Sequence, residues 1–117
     1  MRYETRFLED AKLVVVAYGS LSRIAGAAVE NLRRQGKKIG FFRPLTLWPF
    51  PKKALLKVSK KAKKILTVEM SYGQMVEDVR LSVDRHTDVF FYGRSGGGIP
   101  TQAQIEREAL KILKPKH

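Results

Sequence analysis

The sequence predicts an α/β fold built on a mostly parallel sheet with helices on both faces. Three observations carry this. Leu13-Val14-Val15-Val16-Ala17 is an unbroken apolar run rich in β-branched residues, as suits a strand buried on both sides. Directly after it, Leu21, Ala25, Ala28 and Leu32 recur at the spacing of one helix face. Strand-like and helix-like segments then alternate to the end of the chain, the pattern of successive βα units.

The elements follow in order. In Arg2–Phe7, Tyr3, Thr5 and Phe7 alternate with polar residues, which predicts a short edge strand with one wet face. Leu8 to Ala11 turns into the central strand. Gly19 permits a tight turn and Ser20 is a suitable N-cap. The first helix is expected from about Leu21 to Gln35, with Gly36 as its stop. Ile39-Gly40-Phe41-Phe42 is a second apolar strand that Pro44 should end. The strand–helix–strand spacing predicts a right-handed parallel crossover. Pro44, Pro49 and Pro51 prevent a regular element across Leu45 to Pro51. Pro51 suits the first turn of a helix to about Lys61, with Leu55, Val58 and Ala62 inward. Ile65 to Glu69 is the next strand. A helix from about Gln74 to Asp84 turns Met75, Val79 and Val83 inward, and Thr87 to Tyr92 is the last strand. Thr101 and Gln104 form a capping box. They open a final helix with Ile105, Ala109 and Ile112 inward and Pro115 beyond its end. No repeat or long linker divides the 117 residues, so one domain over 1–117 is expected.

Composition narrows the chemistry. The chain has no cysteine, which excludes disulfides, thiolate catalysis and iron–sulfur ligation by this chain. His86 and His117 are the two histidines, too few for a multi-histidine metal site. The net charge is +12, and seven lysines between Lys52 and Lys64 fall within thirteen residues that contain no acid. Nucleic-acid modules add aromatics or a reading motif; this run has neither, so it reads as a solvated helix face. No apolar run is long enough to span a bilayer, and a cytoplasmic location is expected. Lysine-rich, cysteine-free composition also fits a thermophile.

Sheets of this class bind ligands at the carboxyl ends of their strands. Gly19 and Ser20, and likewise Ser71 and Gly73, lie in loops that lead into helix N-termini, where free N–H groups attract anions. They are the candidate anion-binding loops. Gly93 to Gly98 matches neither a dinucleotide fingerprint nor a P-loop, so an ordinary helix-leading turn is favoured there. Glu69 ends a buried strand. It is a candidate for acid–base work or, in the favoured reading, a carboxylate bonded to nearby backbone N–H groups. Ser20 and Ser71 have no base placed beside them, and His86 belongs near the end of a helix. Trp48-Pro49-Phe50-Pro51 is a stiff apolar segment. It either covers the sheet or docks a partner. Trp48 and Phe50, with Tyr72 and Gln74 at a neighbouring strand end, form the candidate partner surface.

Four segments in register resemble a known family. They are Val16-Ala17-Tyr18-Gly19-Ser20 with Arg23 beyond; Arg43-Pro44-Leu45-Thr46-Leu47-Trp48-Pro49-Phe50-Pro51; Val68-Glu69-Met70-Ser71-Tyr72-Gly73-Gln74; and Tyr92-Gly93-Arg94 followed by Ile99-Pro100-Thr101. Together they resemble the C-terminal domain of the alpha subunit of 2-oxoacid:ferredoxin oxidoreductases of the 2-oxoisovalerate or 2-oxoglutarate type. The resemblance implies a transketolase C-terminal-like fold, a three-layer α/β/α sandwich. Its five-stranded mixed sheet would have the order 1-3-2-4-5, with the first strand antiparallel. For the whole enzyme it implies thiamine diphosphate, magnesium, iron–sulfur clusters and CoA, in anaerobic metabolism. The implied partners are a pyrimidine-binding domain, a thiamine-binding beta subunit, a ferredoxin-like subunit and, through the complex, ferredoxin. The cofactor motifs of those partners are not in this sequence, so no catalytic residue carries over. The expectation is a non-catalytic assembly domain, inactive alone. A free-standing α/β module for an anionic ligand or nucleic acid is the alternative.

Overall fold

The computed structural model describes residues 2–70, 74–93 and 99–114. In chain order the elements are β1 (Tyr3–Arg6), β2 (Leu13–Ala17), α1 (Leu21–Arg34), β3 (Ile39–Pro44), α2 (Lys52–Ala62), β4 (Lys64–Glu69), α3 (Gln74–Ser82), β5 (Asp88–Gly93) and α4 (Gln102–Leu113). The strands form one sheet in the order β1-β3-β2-β4-β5. β1 runs antiparallel to β3, and the other neighbours are parallel. This is the expected three-layer sandwich.

The side-chain alternation of a strand explains the layers. Leu13, Val15 and Ala17 of β2 pack with Ala25, Ala28, Val29 and Leu32 of α1 and Ile105 and Ala109 of α4. Val14 and Val16 face the other way, with Leu55 and Ala62 of α2 and Met75 and Val79 of α3. All five β2 residues are fully buried, which is why the central strand reads as a continuous apolar run rather than an alternating one.

Helix ends show which local signals act. Gly36, at φ +83°, closes α1. Its N–H donates to the Arg33 carbonyl and that of Lys37 to the Leu32 carbonyl, the paired bonds of a Schellman stop. Thr101 and Gln104 form the reciprocal capping box of α4. The Ser20 hydroxyl, by contrast, makes no capping bond; instead the Ser22 hydroxyl donates to the Gly19 carbonyl at 2.6 Å. α3 stops at Ser82, two residues short of the expected end, and the Ser82 hydroxyl bonds back to the Asp78 carbonyl.

β1 also differs from expectation. All four of its residues are exposed, so neither face is dry. Tyr3 nevertheless stacks on buried Phe42, with ring centroids 5.3 Å apart. No helix among the described residues is long and apolar enough to cross a membrane.

The amino ends of β2 and β3 are tied to the carboxyl end of β1 by Arg33, from the last turn of α1. Its Nε donates to the Ile39 carbonyl at 2.8 Å and its Nη2 to the Phe7 carbonyl at 2.9 Å. The same guanidinium grips both oxygens of Asp10, at 2.6 and 3.2 Å, and lies 5.3 Å from the Phe7 ring centre. One side chain thus joins α1, the end of β1, the turn before β2 and the start of β3. The bonded guanidinium holds the Asp10 carboxyl below its usual value.

Candidate functional site at the carboxyl ends of the strands

The chain order makes β2 and β4 the point where crossovers diverge to opposite sides of the sheet. Ligand crevices form at such points. Here a crevice of about 240 Å³ lies between Tyr18, Gly19 and Ser20 on one side and Val68, Glu69 and Met70 on the other, with Leu47 and Met75 also lining it.

Glu69 is the acid of this crevice. It is 7% exposed. One carboxylate oxygen accepts the Met75 N–H at 2.6 Å and the other the Val76 N–H at 2.8 Å. The side chain therefore fills the N-terminus of α3 from within the fold, satisfying two otherwise unpaired donors. A carboxylate with both oxygens engaged this way has a positioning role. This is the favoured of the two readings of Glu69, and the anion at that helix end is the protein's own. Ser71, Tyr72 and Gly73 lie outside the described residues, and Gln74 opens α3. The described residues do not fit the magnesium implied for the whole enzyme: Glu69 is the one carboxylate among the described residues lining this crevice, both its oxygens already accept backbone N–H bonds, and no group of three His, Cys, Asp or Glu among the described residues has the arrangement to hold a metal ion.

The proline-rich segment divides. Trp48 is 92% exposed and Phe50 only 4%. Phe50 packs with Val14, Val16, Phe42 and Leu55 in the core, so its place on a partner surface is corrected: it anchors the segment from below. Phe50 turns inward while Trp48, two residues before it, turns out, so the segment does not follow the side-chain alternation of a regular strand. Tyr18, Leu45, Met70 and Ile99 are also exposed apolar side chains at the carboxyl ends of β2, β3 and β4 or just ahead of α4. They share Trp48's end of the molecule.

On the other side of α1 lies a larger groove of about 640 Å³, walled by α1 and floored by β1 and β3. It holds Gly19 and Ser20, and it gathers Arg6, Arg23, Arg34 and Arg43, which the sequence reading did not bring together. The residues come from three elements, so no local pattern announced them. The lysine run behaves as expected: Lys52, Lys53, Lys57, Lys60, Lys61 and Lys63 are exposed, and the half-buried Lys64 donates to the Ile112 carbonyl at 3.1 Å. His86 is exposed, in the turn after α3, with its backbone N–H bonded to Asp84.

Comparison with solved structures defines the fold class first. The chain matches 2-oxoglutarate:ferredoxin oxidoreductase from Magnetococcus marinus, solved with 2-oxoglutarate, coenzyme A and succinyl-CoA bound, with a TM-score of 0.88. Identity is 22%, and the match covers 97% of this chain and 20% of that one. A split-gene transketolase matches with a TM-score of 0.74 at 18% identity, over 94% of this chain and 41% of that one. The fold is transketolase C-terminal-like.

The family follows from sequence. A model described as pyruvate:ferredoxin oxidoreductase core domain II matches residues 11–105, and the chain belongs to this family. It is 39% identical, over 96% of its own length, to ketoisovalerate oxidoreductase subunit VorB of Methanothermobacter marburgensis. It is 38% identical, over 86%, to 2-oxoglutarate synthase subunit KorA of Methanocaldococcus jannaschii. The chain spans about a third of the first relative (32%) and about a quarter of the second (27%).

Proposed function

We propose that the chain serves as the assembly domain of the alpha subunit of a 2-oxoacid:ferredoxin oxidoreductase in the cytoplasm. The whole enzyme would oxidatively decarboxylate a 2-oxoacid, of the 2-oxoisovalerate or 2-oxoglutarate type, to its acyl-CoA. The observation that carries this reading is the 39% identity to VorB across 96% of the chain. The chemistry of the rim supports the non-catalytic part: Glu69 is committed to the α3 N-terminus. Thiamine diphosphate and magnesium would sit in the pyrimidine-binding domain and the thiamine-binding beta subunit, and the clusters in a ferredoxin-like subunit that passes electrons to ferredoxin. This chain, as one domain over 1–117, would supply a surface for assembly that includes Trp48, and from their place in the sequence Tyr72 and Gln74 are proposed as further contributors to it.

Calorimetry on the 117-residue chain tests the division of labour. Titration with thiamine diphosphate and magnesium should give no binding heat, and co-expression with the thiamine-binding subunit should give a stable complex. Micromolar affinity of the chain alone for thiamine diphosphate would overturn the proposal.

A further inference from the structure

We infer that the free edge of β1 pairs with β1 of a second copy of this chain, antiparallel about a two-fold axis at Thr5, so that the two sheets join. β1 closes one side of the sheet and has β3 as its one strand neighbour. All four of its residues are exposed, and such an edge offers backbone donors and acceptors to another strand. The phase of these groups is fixed by β3. The Leu45 N–H donates to the Arg2 carbonyl at 2.9 Å, and the register continues with Glu4 opposite Arg43 and Arg6 opposite Phe41. Backbone groups alternate along an antiparallel strand. Arg2, Glu4 and Arg6 therefore turn theirs toward β3, and Tyr3 and Thr5 turn theirs to the open edge. Pro44, opposite Tyr3, has no N–H to give, which agrees with this phase. An axis at Thr5 lets the Thr5 residues of the two copies exchange both of their N–H···O=C bonds. Phe7, at φ +58°, turns the chain out of the strand just beyond Arg6 and keeps the pairing short.

The charges on β1 point to a second copy as the occupant. With the axis at Thr5, Glu4 of each copy lies directly opposite Arg6 of the other. Opposite charges at facing positions stabilise a strand pair, and like charges destabilise it. Glu4 and Arg6 share the α1 side of the sheet, where both line the groove beside α1. Each is already paired within its own chain, Glu4 with Arg43 at 2.9 Å and Arg6 with Glu30. Joining the copies extends these pairs into two rows of alternating sign, Arg43 and Glu4 of one copy followed by Arg6 and Glu30 of the other. Charges on an edge strand ordinarily keep other strands away. Here the order acid, Thr5, base makes the edge complementary to itself, as a closed two-fold interface requires. Moving the axis to Glu4 or Arg6 would set like charges face to face and turn the bonded backbone groups away from each other.

Sedimentation of the 117-residue chain tests this near physiological salt, where a Debye length of about 8 Å screens the long-range repulsion between copies. The parent should dimerise in a concentration-dependent way. Glu4→Arg and Arg6→Glu each set like charges opposite, and each alone should weaken the dimer at least about tenfold. An equimolar mixture of the two variants should recover it, because their swapped charges match. Both side chains are exposed, so the variants should melt with the parent. The chain has no cysteine, so Thr5→Cys supplies a single thiol. The facing Cα atoms of a bonded antiparallel pair are about 5.5 Å apart, within disulfide reach. Mild oxidation should link Thr5→Cys into a dimer much faster than Ala103→Cys, on the exposed face of α4. A parent that stays monomeric would overturn the inference and leave the edge to a strand of another protein. So would a mixture no more associated than its components, or equal cross-linking of the two cysteine variants. The assembly reading rests on the relatives and on Trp48, and none of these outcomes bears on it.

Discussion

The two ends of the sheet are built differently. At the amino ends of the parallel strands, one arginine ties four pieces of chain with bonds to two carbonyls and a carboxylate. At the carboxyl ends, the polar bonds that exist are used to hold loops in place. Glu69 fills α3, and the Thr46 hydroxyl donates to the Pro49 carbonyl. Meanwhile Trp48, Tyr18 and Met70 are left in solvent. One end holds the fold and the other presents surface, as the carboxyl ends of such sheets do.

The largest effect should come from the residue that crosses this division. Phe50 belongs by sequence to the presenting end and by packing to the core. Phe50→Ala should destabilise the chain by about 3–5 kcal/mol, the range for a buried phenylalanine, seen as a lower urea midpoint with an unchanged slope. A loss below about 1 kcal/mol, typical of surface sites, would mean that the segment is not anchored and that the contrast between the ends fails.

Arg33 tests the holding end. Arg33→Ala removes charge-assisted bonds to the Ile39 and Phe7 carbonyls, and a loss of about 1–2 kcal/mol is expected. Arg33→Lys should recover little, because an ammonium cannot reproduce the fork. A full recovery by lysine would reduce the tie to simple charge. The pair with Asp10 adds a pH signature. Its folded pKa is depressed, so its contribution is present above the ordinary aspartate value of about 3.9 and is lost as pH falls through the lower folded value. Asp10→Asn should therefore differ from the parent at neutral pH and converge with it in acid.

The contrast also marks what the sequence could disclose. Strand runs, helix stripes, the Gly36 stop and the Thr101 capping box are local patterns, and each appears where periodicity or spacing placed it. Glu69 was half legible: its bonding to nearby N–H groups is a contact over six and seven residues. The Arg33 tie joins residues up to 26 apart, and the arginine groove depends on β1 pairing with β3. Neither leaves a mark in any short window. The Trp48–Pro51 segment shows a subtler limit. Two aromatics between prolines have the same composition signal, and only the path of the backbone decides which one faces the core.

The smallest effect on the chain itself should come from Trp48. With 92% of its surface exposed, it has few contacts to lose, and Trp48→Ala should change stability by less than about 0.5 kcal/mol. Its position on a segment stiffened by Pro49 and Pro51 means that little entropy is lost on docking. A tryptophan buried at the centre of an interface commonly contributes about 2 kcal/mol or more. In an assembled oxidoreductase the same substitution should therefore weaken subunit association by a factor of about thirty, at 1.4 kcal/mol per tenfold. Melts of the chain set beside sedimentation of the complex separate the two quantities. Unchanged association would remove Trp48 from the interface and leave the presenting end defined by its other exposed residues. A large loss in the isolated chain would instead place the indole in the core with Phe50 and erase the difference between them.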